Sequence, residues 1–288
     1  MLGWRIARHG MAMLVTVLLG GLLSATLVRF APGFDSDENQ LDPRLNRESV
    51  QALRAARLRE HNVVRFYSHS LWRAAHGDLG NSLSLGQPVS TLIRERLPRT
   101  LRLIEIGLLL SWSVAMAMAL SAAGWRVSAY DALATILSGT FLCIPAAVLA
   151  LLSVLWSVPG SLAVALITFP RSYRYARNLL AKSYSLPHIL AARARGLSES
   201  RILFWHAIPV VGPQLLALAG VSVSVAVGAA IPVEALCGLP GVGQLAWQAA
   251  LARDLPLLMN LTVLVTVVTL LANSGADVLG HMLHREQA

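Results

Sequence analysis

The sequence predicts an all-α, polytopic membrane protein with six transmembrane helices, and three observations carry that prediction. Of its 288 residues 55% are hydrophobic and only 14% charged, with a mean hydropathy of +0.59, a balance outside the soluble range. The apolar residues gather into long uncharged runs, several reaching the roughly 18–20 residues that cross about 30 Å of hydrocarbon as a helix. The basic residues of the short connections fall almost entirely on one side of those runs.

Taken in order, Met11–Val28, Ile106–Ala123, Ala132–Val158, Ala207–Val233 and Leu255–Ala276 contain no acidic or basic residue. A shorter run, Pro159–Pro170, ends at Arg171. It is counted as the fourth of six spans because Tyr173 and Tyr175 suit a membrane interface and Arg171 or Arg174 can snorkel to it. Residues 1–32 hold the N-terminus and first helix. Arg5 and Arg8 precede an apolar stretch too long for a secretory core, and "TLVRFAPG" is not a small-x-small cleavage site, so the helix is expected to be retained.

Residues 33–100 form one large exported loop, and 101–288 a five-helix core containing a cytoplasmic loop, 182–209. In the exported loop "NRESVQALRAARLRE" reads as a short amphipathic helix, "VVRFYSHSLWRAA" as a second, and "HGDLGNSLSLGQP" as a run of turns. Pro145 in the third span and Pro209, Pro213 and Pro232 in the fifth predict kinks.

Arg5, Arg8, Arg126, Arg174, Arg177, Lys182, Arg193, Arg195, Arg201 and Arg285 lie on one side, while the opposite short loops offer only Arg253. Both termini are therefore expected to face the cytoplasm.

Several function classes are excluded or disfavoured. The basic balance comes with acids such as Asp35, Asp37, Glu38, Asp42, Glu48 and Glu60, and no groove-reading module or aromatic-interleaved platform appears, which disfavours nucleic acid. A phosphate-cradling loop needs GxxxxGK[ST], and the single lysine, Lys182, follows alanine. The chain is not an ATPase. There is no HExxH or GxSxG; "HMLH" at 281–284 has no third ligand nearby; and the glycines of "GLPGVG" lack the preceding strand of a dinucleotide site. Cys143 and Cys237 read as small packing residues. Glu105, Asp131 and Asp277 sit near membrane boundaries, whereas an ion-coupled carrier places ionisable groups near the midplane.

The segment "HILAARARGLSESRILFWHAIPV", 188–210, is the most charged interruption of the apolar core. Pro187 opens a short helix, Gly196 supplies a left-handed residue to end it, Ser198 is placed to cap a second, and Leu197 to staple onto Ile202. Helix, sharp turn, helix makes a rigid knob suited to another protein's groove. An ordinary basic loop is the competing interpretation.

This segment resembles the EAA coupling loop of ABC importer permeases: Leu190-Ala191-Ala192, then Gly196, then Pro209 follow its spacing. "ARARGL" with "HAIP" is similar to the dipeptide, oligopeptide and nickel permease family. Three other stretches share the likeness: "HGDLGNSLSLGQPVSTLIRERLPRTL", "RYAR", and "PVEALCGLPGVGQLAWQAALARDLP" with Glu234, Pro240, Gly241, Gly243, Arg253, Asp254 and Pro256.

The resemblance implies a type I ABC importer fold and a permease of the bacterial cytoplasmic membrane, surrounded by lipid. It implies pairing with a second homologous permease and two cytoplasmic ABC ATPases that use ATP and Mg, and delivery of peptides or a related solute by an extracytoplasmic binding protein. This chain itself would bind no cofactor. His188, Ala191, Ala192, Arg193, Arg195, Gly196, Leu197, His206 and Pro209 would form the element gripped by the ATPase. Leu190 replaces the pattern's glutamate, Lys182 stands where an acid is common, and the stretches around "REHNVVRF" and "SVPGS" are short. An ATP-independent carrier and a membrane scaffold without transport are the alternatives.

Overall fold

The computed structural model describes residues 11, 15–23, 26, 68, 71–74, 76–125 and 128–285. The amphipathic helix expected over 46–60, most of the second at 63–75, and Arg5, Arg8 and Arg126 lie outside the described residues. The chain divides into two compact units, one of Met1–Arg96 with Leu245–Val267, the other of Leu97–Gln244 with Val268–Ala288.

Among the described residues all regular structure is helical. Residues 15–23 are helical within the first expected span. The helices that follow are α1 Val89–Trp125, α2 Ser128–Cys143, α3 Ala146–Leu155, α4 Gly160–Ser183, α5 Pro187–Ala194 and α6 Glu199–Ile202. A π-helical turn, Leu203–Ala207, leads into α7 Ile208–Leu236, then α8 Val242–Leu251 and α9 Leu255–Arg285. By length and hydropathy three described stretches qualify as spans: Val89–Ala122, Glu199–Leu236 and Leu255–Gly280.

The third expected span is not one rod. Tyr130–Cys143 and Ala146–Leu155 meet at a bend of 95° and together would make a fourth crossing. Pro145 causes the break, since it has no N–H to continue α2 and its ψ of 141° is extended. The fourth span also differs from expectation. The helix does not stop near Arg171 but continues to Ser183, and Arg171, Arg174, Arg177 and Lys182 lower the hydropathy of its second half.

The larger unit has a clear internal register. A Cβ on Gly160 would stand 3.5 Å from Leu103, and one on Gly107 2.7 Å from Val164, so α1 and α4 run side by side in the same direction. In the opposite sense runs α7, with Val233 at Gly160 and Ser222 Oγ 3.3 Å from Ser172 Oγ. The bent pair connects the two ends of this bundle: Tyr130 Oη is 3.0 Å from Ser121 Oγ, and Ser153 Oγ is 3.3 Å from Cys237 Sγ at the far end of α7. Against α7 packs α9, where Gly220 approaches Ala276 and Asn273 donates to Ser224 Oγ at 2.8 Å.

The largest apolar cluster joins Ala115, Ala119, Phe169, Tyr173 and Leu180 to Ile189, Ile202, Leu203 and Val211. It joins the elbow to α1, to α4 from its middle to its end, and to the start of α7.

Candidate functional site

The elbow is built as its sequence suggests. Pro187 occupies the first turn of α5, where no intrahelical donor is needed. At the other end Gly196 has φ +78°. Leu197 N donates to Ala192 O at 3.3 Å and Gly196 N to Arg193 O at 2.9 Å, the paired bonds of a Schellman turn. Ser198 takes the extended backbone of a cap, but its hydroxyl makes no capping bond; only its carbonyl accepts, from Ile202 N at 3.0 Å.

Burial sorts the elbow's residues into two faces. Ile189, Ala192, Ile202 and Ala207 are buried, with Leu197 partly so. His188, Leu190, Ala191, Arg195 and Gly196 are exposed, as is Pro209. Arg193, expected to be exposed with Arg195 and Arg201, is half-buried, whereas the other two are exposed.

Arg193 behaves differently from Arg195. It donates from Nε to Glu199 Oε1 at 2.8 Å and from Nη2 to Oε2 at 3.0 Å, closing a fork across the Gly196 turn. The bond to Glu199 raises the guanidinium's pKa above its ordinary range, and Tyr184 lies 5.8 Å beneath it. His206 is half-buried in the π turn, and Pro209 follows as the second residue of α7. Beside His206, Phe204 and Trp205 are exposed, Trp205 at 77%. The sequence reading did not single them out, because a π turn rotates side chains out of α-helical register.

At the far end of α7 the resemblance-matched residues form a second arrangement. Glu234 is 1% exposed, and its Oε2 accepts from Gly243 N at 2.6 Å and Gln244 N at 3.3 Å. Thr100 Oγ1 accepts from Val242 N at 2.8 Å. Three donors that open α8 are thus met by side chains of α7 and α1, with carboxyl oxygens against the helix's positive end. The glycines allow the approach: a Cβ on Gly241 would stand 2.2 Å from the Glu234 carboxylate, and one on Gly243 2.7 Å from Ile231 Cα. Pro240 leads into this turn.

Asp254 belongs to the other unit and is also 1% exposed. Its Oδ2 accepts from Ser82 Oγ at 2.5 Å, Ser84 N at 2.9 Å and Ser84 Oγ at 2.9 Å, and its Oδ1 from Leu257 N at 3.1 Å. One carboxylate therefore caps α9 and fastens the 80–88 turn. Asn260 adds a bond from Nδ2 to Leu79 O at 3.0 Å. Next to it Arg253 has φ +54°, uncommon for a residue with a side chain; the geometry ends α8 as Gly196 ends α5.

A chain of Brucella abortus (strain 2308) named "Putative peptide transport system permease protein" is 28% identical over 297 residues, covering 91% of this chain and 92% of the relative. The "Oligopeptide transport system permease protein AppB" of Bacillus subtilis is 27% identical over 298 residues, covering 93% and 94%. The profile of the family described as "Binding-protein-dependent transport system inner membrane component" matches residues 114–287, from within α1 through the elbow to α9. The chain belongs to that family, as a multi-pass permease subunit of a binding-protein-dependent transport system.

Proposed function

We propose that this permease imports short peptides, working with a second similar permease and two cytoplasmic ATPases that consume ATP and Mg, and receiving its cargo from an extracytoplasmic binding protein. The peptide assignment is supported by relatives named for peptide transport that align over nine-tenths of both chains. Residues 1–32 would supply the first helix, 33–100 the exported loop and 101–288 the permease core, with both termini in the cytoplasm.

One observation carries the mechanism. The elbow is bent at the Gly196 turn and shares a buried core with α4 and α7, so a pull on it would be passed on to them. A tightly packed element of this kind transmits displacement instead of absorbing it. When ATP closes the ATPase dimer, a groove gripping His188, Ala191, Arg195 and Gly196 would drag those two helices together. The energy delivered is the difference in the groove's affinity for the elbow between the two ATPase states.

Gly196→Val tests this in proteoliposomes of the full complex. No atom stands within 4 Å of a Cβ at this position, so the substitution acts through backbone strain alone, on the order of 1–3 kcal/mol. Peptide uptake is expected to collapse while ATP hydrolysis continues, and Gly196→Asn, which tolerates the left-handed region, is expected to stay coupled. Normal coupled uptake by the valine variant refutes the handle. Absence of a second permease and of ATPases after gentle purification refutes the assembly.

A further inference from the structure

Two arginines of α4 stand level with the uncharged middles of the helices beside it. The register that sets Leu103 against Gly160 and Gly107 against Val164 continues to bring Arg171 level with Val114 and Arg174 level with Ala117. Both levels fall inside the uncharged run Ile106–Ala123. A second gauge agrees, because Ser172 meets Ser222 near the middle of the uncharged run Ala207–Val233.

Both arginines are exposed, on one face of α4 with Tyr175 and Asn178. Arg177, a turn away, forms a forked pair with Asp131 of α2. Among the described residues Arg171 and Arg174 have no hydrogen bond or ion pair. Gly139 of α2 leaves room for Arg174, whose Nη1 would be 3.9 Å from a Cβ there.

An arginine facing lipid tails at this depth is costly, and residues of this kind face water-filled paths or bundle interiors and mark the route of a solute. Lipid phosphates are about 15 Å from the middle of a bilayer whose core is about 30 Å thick, beyond the reach of a snorkelling side chain. Arginine stays protonated, so the pair cannot relay protons. Its planar fork suits a carboxylate, and every peptide with a free C-terminus carries one whatever its sequence.

We propose that Arg171 and Arg174 form a carboxylate-binding station on the aqueous solute path, holding the C-terminal carboxylate of a peptide in transit. The inference rests on the peptide reading above and adds where, and by which chemical group, the cargo is held.

The test uses the full complex with its binding protein in proteoliposomes and a pool of tri- to pentapeptides with free C-termini. Arg171→Gln with Arg174→Gln is expected to lower uptake at least tenfold with ATP hydrolysis retained, and the lysine pair to recover it to within threefold. With Cys143→Ser and Cys237→Ala as background, Arg174→Cys is expected to react with a membrane-impermeant anionic thiosulfonate, and the peptide pool to slow that reaction. Unchanged uptake in the glutamine pair, or a lysine pair no better than glutamine, overturns the station. So does an unreactive cysteine, which indicates a lipid-facing position, or one that peptides do not protect, which indicates an acid of the second permease as the occupant. If the unsubstituted complex carries no peptide, the cargo reading fails and the station with it; uptake that ignores these arginines sinks the station alone.

Discussion

Arg193 reaches across the Gly196 turn to Glu199 with both ends of its fork, 2.8 Å and 3.0 Å from the two carboxylate oxygens. The pair ties the helix before the bend to the helix after it. The resemblance implies that Arg193 contacts the ATPase; in this structure its fork is occupied within the elbow, which leaves Arg195 as the exposed arginine of that turn.

A charge swap separates these roles. Arg193→Glu and Glu199→Arg are each expected to reduce coupled peptide uptake several-fold, and the double variant to restore most of it. Restoration is read from uptake per ATP hydrolysed. A double variant no better than its worse parent would show that Arg193 serves a contact outside the elbow.

Glu234 should matter as an acceptor more than as a charge. Glu234→Ala leaves the Gly243 donor buried and unpaired, costing about 1–3 kcal/mol, whereas Glu234→Gln retains a carbonyl for it and is expected to lose less. Gly241→Ala is expected to resemble the alanine variant, because the new Cβ would occupy the carboxylate's space. Thermal unfolding of the detergent-purified complex ranks the three. Equal midpoints for Glu234→Gln and Glu234→Ala would contradict the capping role.

Asp254 fastens residues far away in sequence, so its loss should be felt at a distance. In Asp254→Ala the Ser82 hydroxyl and the Leu257 amide, both buried, lose their acceptor, and hydrogen exchange across 80–88 is expected to speed up by an order of magnitude or more, from about 1–3 kcal/mol per unpaired buried donor. Unaltered exchange in that peptide would show that the turn holds itself.

Asp78 supplies a pH dependence. The Gly80 N–H, at 2.9 Å, and then the Arg73 guanidinium hold its carboxyl below the ordinary value of 3.8. A carboxylate with a depressed folded pKa stabilises its surroundings above the unfolded value and loses that contribution as pH falls through the folded one. The turn around Gly80 should therefore be unaffected from neutral pH down to about 4 and loosen only below it. Carbon NMR of labelled aspartate checks the sign: a carboxyl titrating above the ordinary value would refute it.

Much of this protein was legible one residue after another. Uncharged runs long enough for a bilayer and the Pro187, Gly196 and Leu197 signals of the elbow are local patterns, and local sterics and hydropathy act on neighbours in sequence. The bend at Pro145 was only partly legible, since a proline announces a break but not a turn of 95°.

Tertiary structure alone decided the rest. Ser82 meets Asp254, Thr100 meets Val242 and Arg177 meets Asp131 only because segments distant in sequence are packed together, and no periodicity records such partners. The depth of Arg171 is of the same kind. Hydropathy read it as the end of a span, whereas the alignment of α1, α4 and α7 sets it level with their uncharged middles. Composition selects the solvent for each helix; which side chain faces which is settled by packing.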